Sequence, residues 1–357
     1  MPSSSPRGSA PIREREFHAW LAHRLPAGTG GLLPLGDDAA ALSPPERCVA
    51  VLTTDSLVEG THFLADSPPE WVGRAAAAVS LSDAAAKGAT PVALLLALLL
   101  PRGTPAHWAQ AVALSADRMG RRFGAPLVGG DTKPAPVRAV VSTILAWGRE
   151  GSLAPRTAAR PGDLLVTTGT VGRGGWAAYR WTTSGNSGSR RRHALRDLLD
   201  VRPRVFEGVA LAPWAHAMLD TSDGLAEGAR LLAEASRVRV VVEEERLPLH
   251  PPLHALEASA RWSATVYGGD YELLATVPSA TLEKARGAVE AGGGKLTPIG
   301  RIERGAGAWV ETAGARRTMP PGGWQPFDTP GTARAGRLLR QVSSGRAEPS
   351  QGRGIHK

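Results

Sequence analysis

Short apolar runs of β type alternate along this chain with Ala-rich stretches whose apolar positions recur at helical spacing. CVAVLTT at 48–54 and VVSTILAW at 140–147 read as strands; the stretches from Trp71 to Lys87 and from Pro105 to Arg122 read as helices. Upstream, EREFHAWLAHRL places Phe17, Trp20, Leu21 and Leu25 on one face, which predicts a helix over 14–25 packed onto the body. Such alternation predicts an α/β layer. PRTAARPGD, at 155–163, is the best boundary. Beyond it LLVTTGTVG reads as a strand and turn, VFEGVALA as a helix, and AMLDTSDGLAEGARLLAEAS as strand, loop and helix. VRVVVE and YELLATV read as further strands, a helix is expected near 280–291, and no fixed-period repeat is visible.

Composition narrows the class. At 357 residues, 42% of them hydrophobic and 21% charged, the chain is long enough for two cored domains, and wholesale disorder is excluded. Cys48 is the sole cysteine, so neither an intramolecular disulfide nor a cysteine-ligated zinc site is expected. Met1 to Phe17 is Ser/Pro-rich and then charged, without a signal-peptide core, and the longest apolar run, Val92 to Leu100, is about half a bilayer span. These features predict a soluble, cytoplasmic protein with no membrane partner. The net charge is +9. Arg190, Arg191 and Arg192 sit in a Ser/Gly-rich stretch, and the tail from Thr329 carries six more basic residues against Glu348. Neither segment interleaves aromatic side chains for base stacking, so a flexible solubilising loop and tail are expected and no nucleic-acid partner.

The acids carry the candidate chemistry. Asp37 and Asp38 lie in GDDAA, Asp55 ends a predicted strand in TTDSLVEG, Asp83 sits in SLSDAAAKGA, and Asp131 follows a strand in PLVGGDT. Asp220 and Asp223 come in MLDTSDGL, and Asp270 in GGDYELL. An isolated Asp after a strand is ordinarily a turn or N-cap residue, and Asp223 could cap the helix after it. Asp83 is harder to explain structurally, because an acid inside an Ala-rich helix adds neither propensity nor packing. So many acids at loop exits in a basic chain point to bound cations. Hard oxygen donors without recurring His favour Mg²⁺ bridging carboxylates to phosphates. No P-loop and no protein-kinase motif set is present, so a nucleotide would bind by another architecture.

In this order, GDDAA, TTDSLVEGTHF, SLSDAAAKGATP, GGDT, PRTAARPGD, LDTSDGL, GGDYELL and GGWQPF resemble the thiamine-monophosphate kinase family, from about Phe17 to Phe327. The resemblance implies an aminoimidazole-ribonucleotide-synthetase-like two-domain fold, an α/β N-terminal domain followed by an α+β C-terminal domain. It implies an ATP/Mg-binding and dimerisation domain over 16–150 and a C-terminal domain over 151–328, while composition predicts a flexible leader over 1–15 and a basic flexible tail over 329–357. It further implies a homodimer that uses ATP and Mg²⁺ to convert thiamine monophosphate to thiamine diphosphate. By resemblance Asp38, Thr53, Thr54, Asp55, Asp83, Asp131, Asp220 and Asp223 bind metal, with Asp38, Asp131 and Asp223 catalytic. Gly130, Asp131, Arg156 and Ser222 would contact ATP, and His62 and Trp324 thiamine monophosphate.

This chain departs from the family pattern at four places, one of them after GGDT, where Lys133 and Pro134 follow Thr132 in place of a second Thr and a basic residue. Ser80 stands where an Asn is usual, Gly269 where a substrate-contacting Glu is usual, and Gly228 where a second acid follows SDGL. Two alternatives follow: a nucleotide-binding homologue with weakened turnover, or another ATP-dependent enzyme of the same superfamily.

Overall fold

The computed structural model describes residues 14–25, 44–184, 188–320 and 322–323. Helix α1 (Glu14–Arg24) precedes β1 (Cys48–Val58), α2 (Pro69–Ala85), β2 (Thr90–Leu100), α3 (Ala106–Arg122), β3 (Leu127–Pro134) and β4 (Ala139–Arg149). The strands form a sheet in the order β1-β4-β2-β3, antiparallel except for the β2/β3 pair, which is parallel because α3 carries the chain back across the layer. On β2, Leu94, Leu96, Leu98 and Leu100 point into the core under α2 and α3. The other face is open, with Leu52 69% and Leu95 41% exposed. Alanines and Gly73 allow α2 to lie very close to α3; a Cβ at Gly73 would overlap the Val112 carbonyl. Phe17 and Leu25 at the α1 end are buried, with Trp20 and Leu21 packed beside them, as the helical face predicts.

The second half contains β5 (Asp163–Thr168), α4 (Arg173–Thr183), α5 (Gly188–Leu199), α6 (Val205–Leu211), β6 (Ala217–Asp220) and α7 (Leu225–Ser236). It continues with β7 (Arg239–Glu243), α8 (Ala258–Thr265), β8 (Leu273–Pro278), α9 (Leu282–Ala291), β9 (Leu296–Glu303), β10 (Gly307–Thr312) and β11 (Ala315–Thr318). Its strands make a mixed sheet in the order β11-β10-β7-β9-β5-β8-β6. Helix α2 touches both sheets, packing on β1 and β4 and reaching β6.

Three expectations are corrected. Strand β1 does not end at Asp55 but continues to Val58, paired with β4 throughout. Asp131 does not follow a strand; it lies within β3, opposite Ala97 of β2, because the parallel partner supplies ladder bonds that GGDT lacks the propensity to demand alone. The arginine triplet is not a loop: it occupies the first turn of α5, whose second half buries Ala194, Leu195 and Leu199.

Candidate active site

The acids meet where the two sheets approach. Alternation along β1 turns Thr53 and Asp55 toward α2 and leaves Thr54 on the open face, where Thr143 of β4 donates to its hydroxyl at 3.0 Å. Thr53 donates to Asp83 Oδ2 at 2.5 Å, so the acid inside the alanine helix faces β1. One residue earlier on α2, Ser82 donates to Asp220 Oδ2 at 2.6 Å, while Ser222 donates to Oδ1 of the same carboxylate at 2.8 Å.

The loop carrying Asp220 and Asp223 is pinned against the GGDYELL segment. Thr221 N donates to the Glu272 carbonyl at 2.8 Å, and Gly269 N donates to the Ser222 carbonyl at 2.7 Å. Gly224, at φ +99°, makes the turn into α7 and is itself its N-cap position, so Asp223 is not the cap. A Cβ at Gly224 would overlap the Val266 carbonyl.

Asp55, Asp83, Asp220 and Asp223 line one cavity of about 790 Å³, together with Arg156, Ser222 and His62. Burial, then the charges of Asp83 and Asp220, push Asp55 up to about 7. Burial and Asp220 likewise raise Asp83 and Asp223. Val58 N donates to His62 Nδ1 at 3.1 Å, which leaves Nε2 as the protonated nitrogen, and burial holds the imidazole below its ordinary pKa.

Lys87, which sequence reasoning missed, lies four residues after Asp83, in the turn that follows α2. Its ammonium donates to the Met218 carbonyl at 2.8 Å and the Ala154 carbonyl at 3.3 Å, tying α2 to β6. Burial and Arg156 bring its pKa down to about 8.

The remaining expected residues are not gathered here. Asp131 and Gly130 lie on β3, the opposite edge of the four-stranded sheet from β1, and do not line the cavity. Asp131 is exposed and accepts from Lys133 Nζ at 2.8 Å. Thr54 is on the open face, and Asp38 and Trp324 fall outside the described residues. Asp270 is structural: fully enclosed, it accepts from Gly172 N at 2.6 Å and Gly174 N at 2.8 Å, closing the start of α4. Ser80 ties helix to sheet through Ser142, hydroxyl to hydroxyl at 2.6 Å, whereas Gly228 and Gly269 both line the cavity.

The donor set fits a hard divalent cation, since four carboxylates line one cavity and burial with neighbouring negative charge raises the pKa of Asp55, Asp83 and Asp223. Among the described residues no three acid, imidazole or thiol side chains close into a ready-made metal cage. That suits Mg²⁺, which takes one or two carboxylates and completes its shell with water and phosphate.

Two family models divide the chain: AIR synthase related protein, N-terminal domain, over residues 36–149, and AIR synthase related protein, C-terminal domain, over residues 160–310. The two sheets with an acid-lined cavity between them are thus those of an AIR-synthase-related protein. The thiamine-monophosphate kinase of Caulobacter vibrioides is 34% identical over 325 residues, 88% of this chain and 91% of that one. The crystal structure of thiamine-monophosphate kinase from Stenotrophomonas maltophilia superposes with a TM-score of 0.72 at 31% identity, covering 84% of this chain and 95% of the other. AaThiL complexed with AMPPCP and TMP superposes with a TM-score of 0.68 at 27% identity, covering 80% and 89%. The chain belongs to the thiamine-monophosphate kinase family. No helix among the described residues is long and apolar enough to cross a membrane.

Proposed function

We propose that this chain transfers the γ-phosphoryl group of ATP to thiamine monophosphate, giving thiamine diphosphate and ADP. The observation that carries this reading is the meeting of Asp55, Asp83, Asp220 and Asp223 on one cavity wall beside Arg156, in a chain of this family. The ligands of AaThiL, AMPPCP and TMP, support the choice of nucleotide and acceptor.

A terminal phosphate oxygen of the acceptor attacks Pγ, the bond from Pγ to the β-bridging oxygen breaks, and ADP leaves with that electron pair. The nucleophile is already anionic at neutral pH, so no strong base is required and the obstacle is repulsion between two polyanions. Arg156 holds phosphate oxygens with a fixed cationic fork, and Ser222, whose hydroxyl donates to Asp220, faces the nucleotide from the same loop. His62, neutral and protonated at Nε2, orients the acceptor. Asp55, Asp83, Asp220 and Asp223, helped by Thr53, would hold Mg²⁺, which when bound supplies the positive charge that lets the two phosphates approach.

The same reading includes a homodimer. Leu52 and Leu95 form an exposed apolar patch on the open face of the first sheet, which a second copy would cover. Thr54 and Asp131 occupy that face and Gly130 is exposed beside them, so their assigned metal and nucleotide roles require the second copy. Asp38 as a metal ligand, Trp324 against the acceptor, and the domain bounds at 16–150 and 151–328 belong to the proposal. A cytoplasmic location rests on the single thiol, Cys48.

A coupled assay of ADP release with and without thiamine monophosphate tests the function. Release that depends on thiamine monophosphate supports it; tight ATP binding with no release identifies a homologue that has lost turnover.

A further inference from the structure

The cavity has a second, apolar end that the phosphate chemistry leaves unused. Trp181 in the last turn of α4 and Leu195 and Leu198 of α5 line it with Val79 and Ala75 of α2, one and two turns before Asp83, and the Arg74–Asp200 ion pair at 2.7 Å seats the end of α5 beside Ala75. The position of α4 is set firmly. Asp270 ties down its first turn through Gly172 and Gly174, and Gly175 lies so close to the Ala264 carbonyl that a Cβ would overlap it. Arg191, from the arginine triplet, places its guanidinium carbon 4.2 Å from the Trp181 ring centroid.

That stack decides what the indole can accept. A cation over one face of the ring satisfies the quadrupole attraction there, and a second cation on the other face would be repelled by the first across the ring. A neutral heteroaromatic ring carries no such penalty and stacks well. Asp83 lies eight residues along α2 from Ala75, about 12 Å, so the acids sit away from this apolar end and favour the cationic ring beside them.

We propose that Trp181 is the specificity wall for the neutral heteroaromatic ring of the acceptor, which in thiamine monophosphate is the aminopyrimidine, while the cationic thiazolium lies nearer the carboxylates. This rests on the phosphoryl-transfer reading and adds which ring is recognised and by which residue.

The test compares wild-type protein with Trp181→Ala, Trp181→Leu and Trp181→Phe, measuring KM for thiamine monophosphate and for ATP. It adds the inhibition constant of an N-methylated thiazolium phosphate, which keeps the cationic ring and lacks the pyrimidine. Trp181→Ala, and Trp181→Leu, which keeps apolar bulk if alanine impairs folding, raise the acceptor KM about tenfold. Trp181→Phe restores most of it, and the ATP KM and the fragment constant stay within about twofold of wild type. An unchanged acceptor KM overturns the assignment, as does a fragment constant that rises in step with it. Wild-type protein that releases no ADP in response to thiamine monophosphate sinks the reading of the reaction, and this inference with it.

Discussion

Ser82 Oγ on α2 donates a 2.6 Å hydrogen bond to Asp220 Oδ2 at the end of β6, so a single hydroxyl joins the helix of the first layer to an acid of the second. Asp220 keeps its other oxygen on Ser222. Ser82→Ala therefore leaves the carboxylate in place with one orienting partner fewer. Turnover at saturating magnesium is expected to fall about tenfold, the scale of one hydrogen bond to a charged group. Steady-state kinetics with a thermal melt beside them checks this; a loss of stability with turnover per folded molecule unchanged would make the bond purely structural.

Removing divalent cations exposes the repulsion among the acids. Burial and neighbouring carboxylates push Asp55 up to about 7, whereas in an unfolded chain an Asp ionises near 3.9. Between those values the folded protein keeps a proton that the unfolded chain has released. The stabilisation is fully present below the lower value and is lost as pH rises through about 7. In a chelator the melting temperature should decline from about pH 5 to about pH 8, and saturating magnesium should restore it. His62 and His250, both lowered by burial, act in the opposite sense at the acid end. Asp55→Asn isolates the effect, and a pH profile identical to wild type in the chelator refutes it.

What the chain's pattern disclosed, and what it withheld, follows from two periods. The apolar runs at 48–54 and 140–147 were enough to find β1 and β4, and the Ala-rich stretches enough to find α2 and α3. The convergence of Asp55, Asp83, Asp220 and Asp223 could be anticipated from their motifs, although Asp55 lies within β1 and not at its end. Their sidedness could not, because CVAVLTT carries apolar residues on both of its faces and so does not tell which of Thr53 and Thr54 faces the helices. Gly129 and Gly130 disguised β3, since glycine weakens a strand except where a neighbouring backbone must come close; a Cβ at Gly130 would overlap the Leu96 carbonyl. In α5 the charged first turn outweighed the apolar second half that holds the helix down. Trp181 gave no signal, because its role depends on a cavity assembled from distant segments.

The open face of the first sheet makes a prediction of its own. Leu52 is 69% exposed at the centre of β1, next to the Thr54–Thr143 hydroxyl pair, and lines no part of the cavity. Leu52→Asp would place a charge in the proposed dimer interface, where desolvation without a partner is costly. Sedimentation velocity is expected to give a dimer for wild type and a monomer for the variant, with turnover reduced because Asp131 lies on the same face. A monomeric wild-type protein that is fully active would remove the second copy from the site.

Asp223 separates chemistry from stability most cleanly. It lies between Ser222 and the Gly224 turn, and among the described residues its carboxylate accepts no hydrogen bond. Burial, Asp220 and Glu227 all raise its pKa, with Arg156 opposing them. Neutralising it as Asp223→Asn keeps its size and relieves a like-charge contact with Asp220, so the melting temperature in the absence of substrates should hold or rise. Turnover should nevertheless fall by about a hundredfold or more, because the variant removes a negative charge from the cavity in which the phosphates react. A stabilised protein with turnover lost is the signature of an acid kept for its work on the ligand and not for the fold. Turnover unchanged at saturating magnesium would remove Asp223 from the reaction and leave Asp55, Asp83 and Asp220 to carry the cation without it.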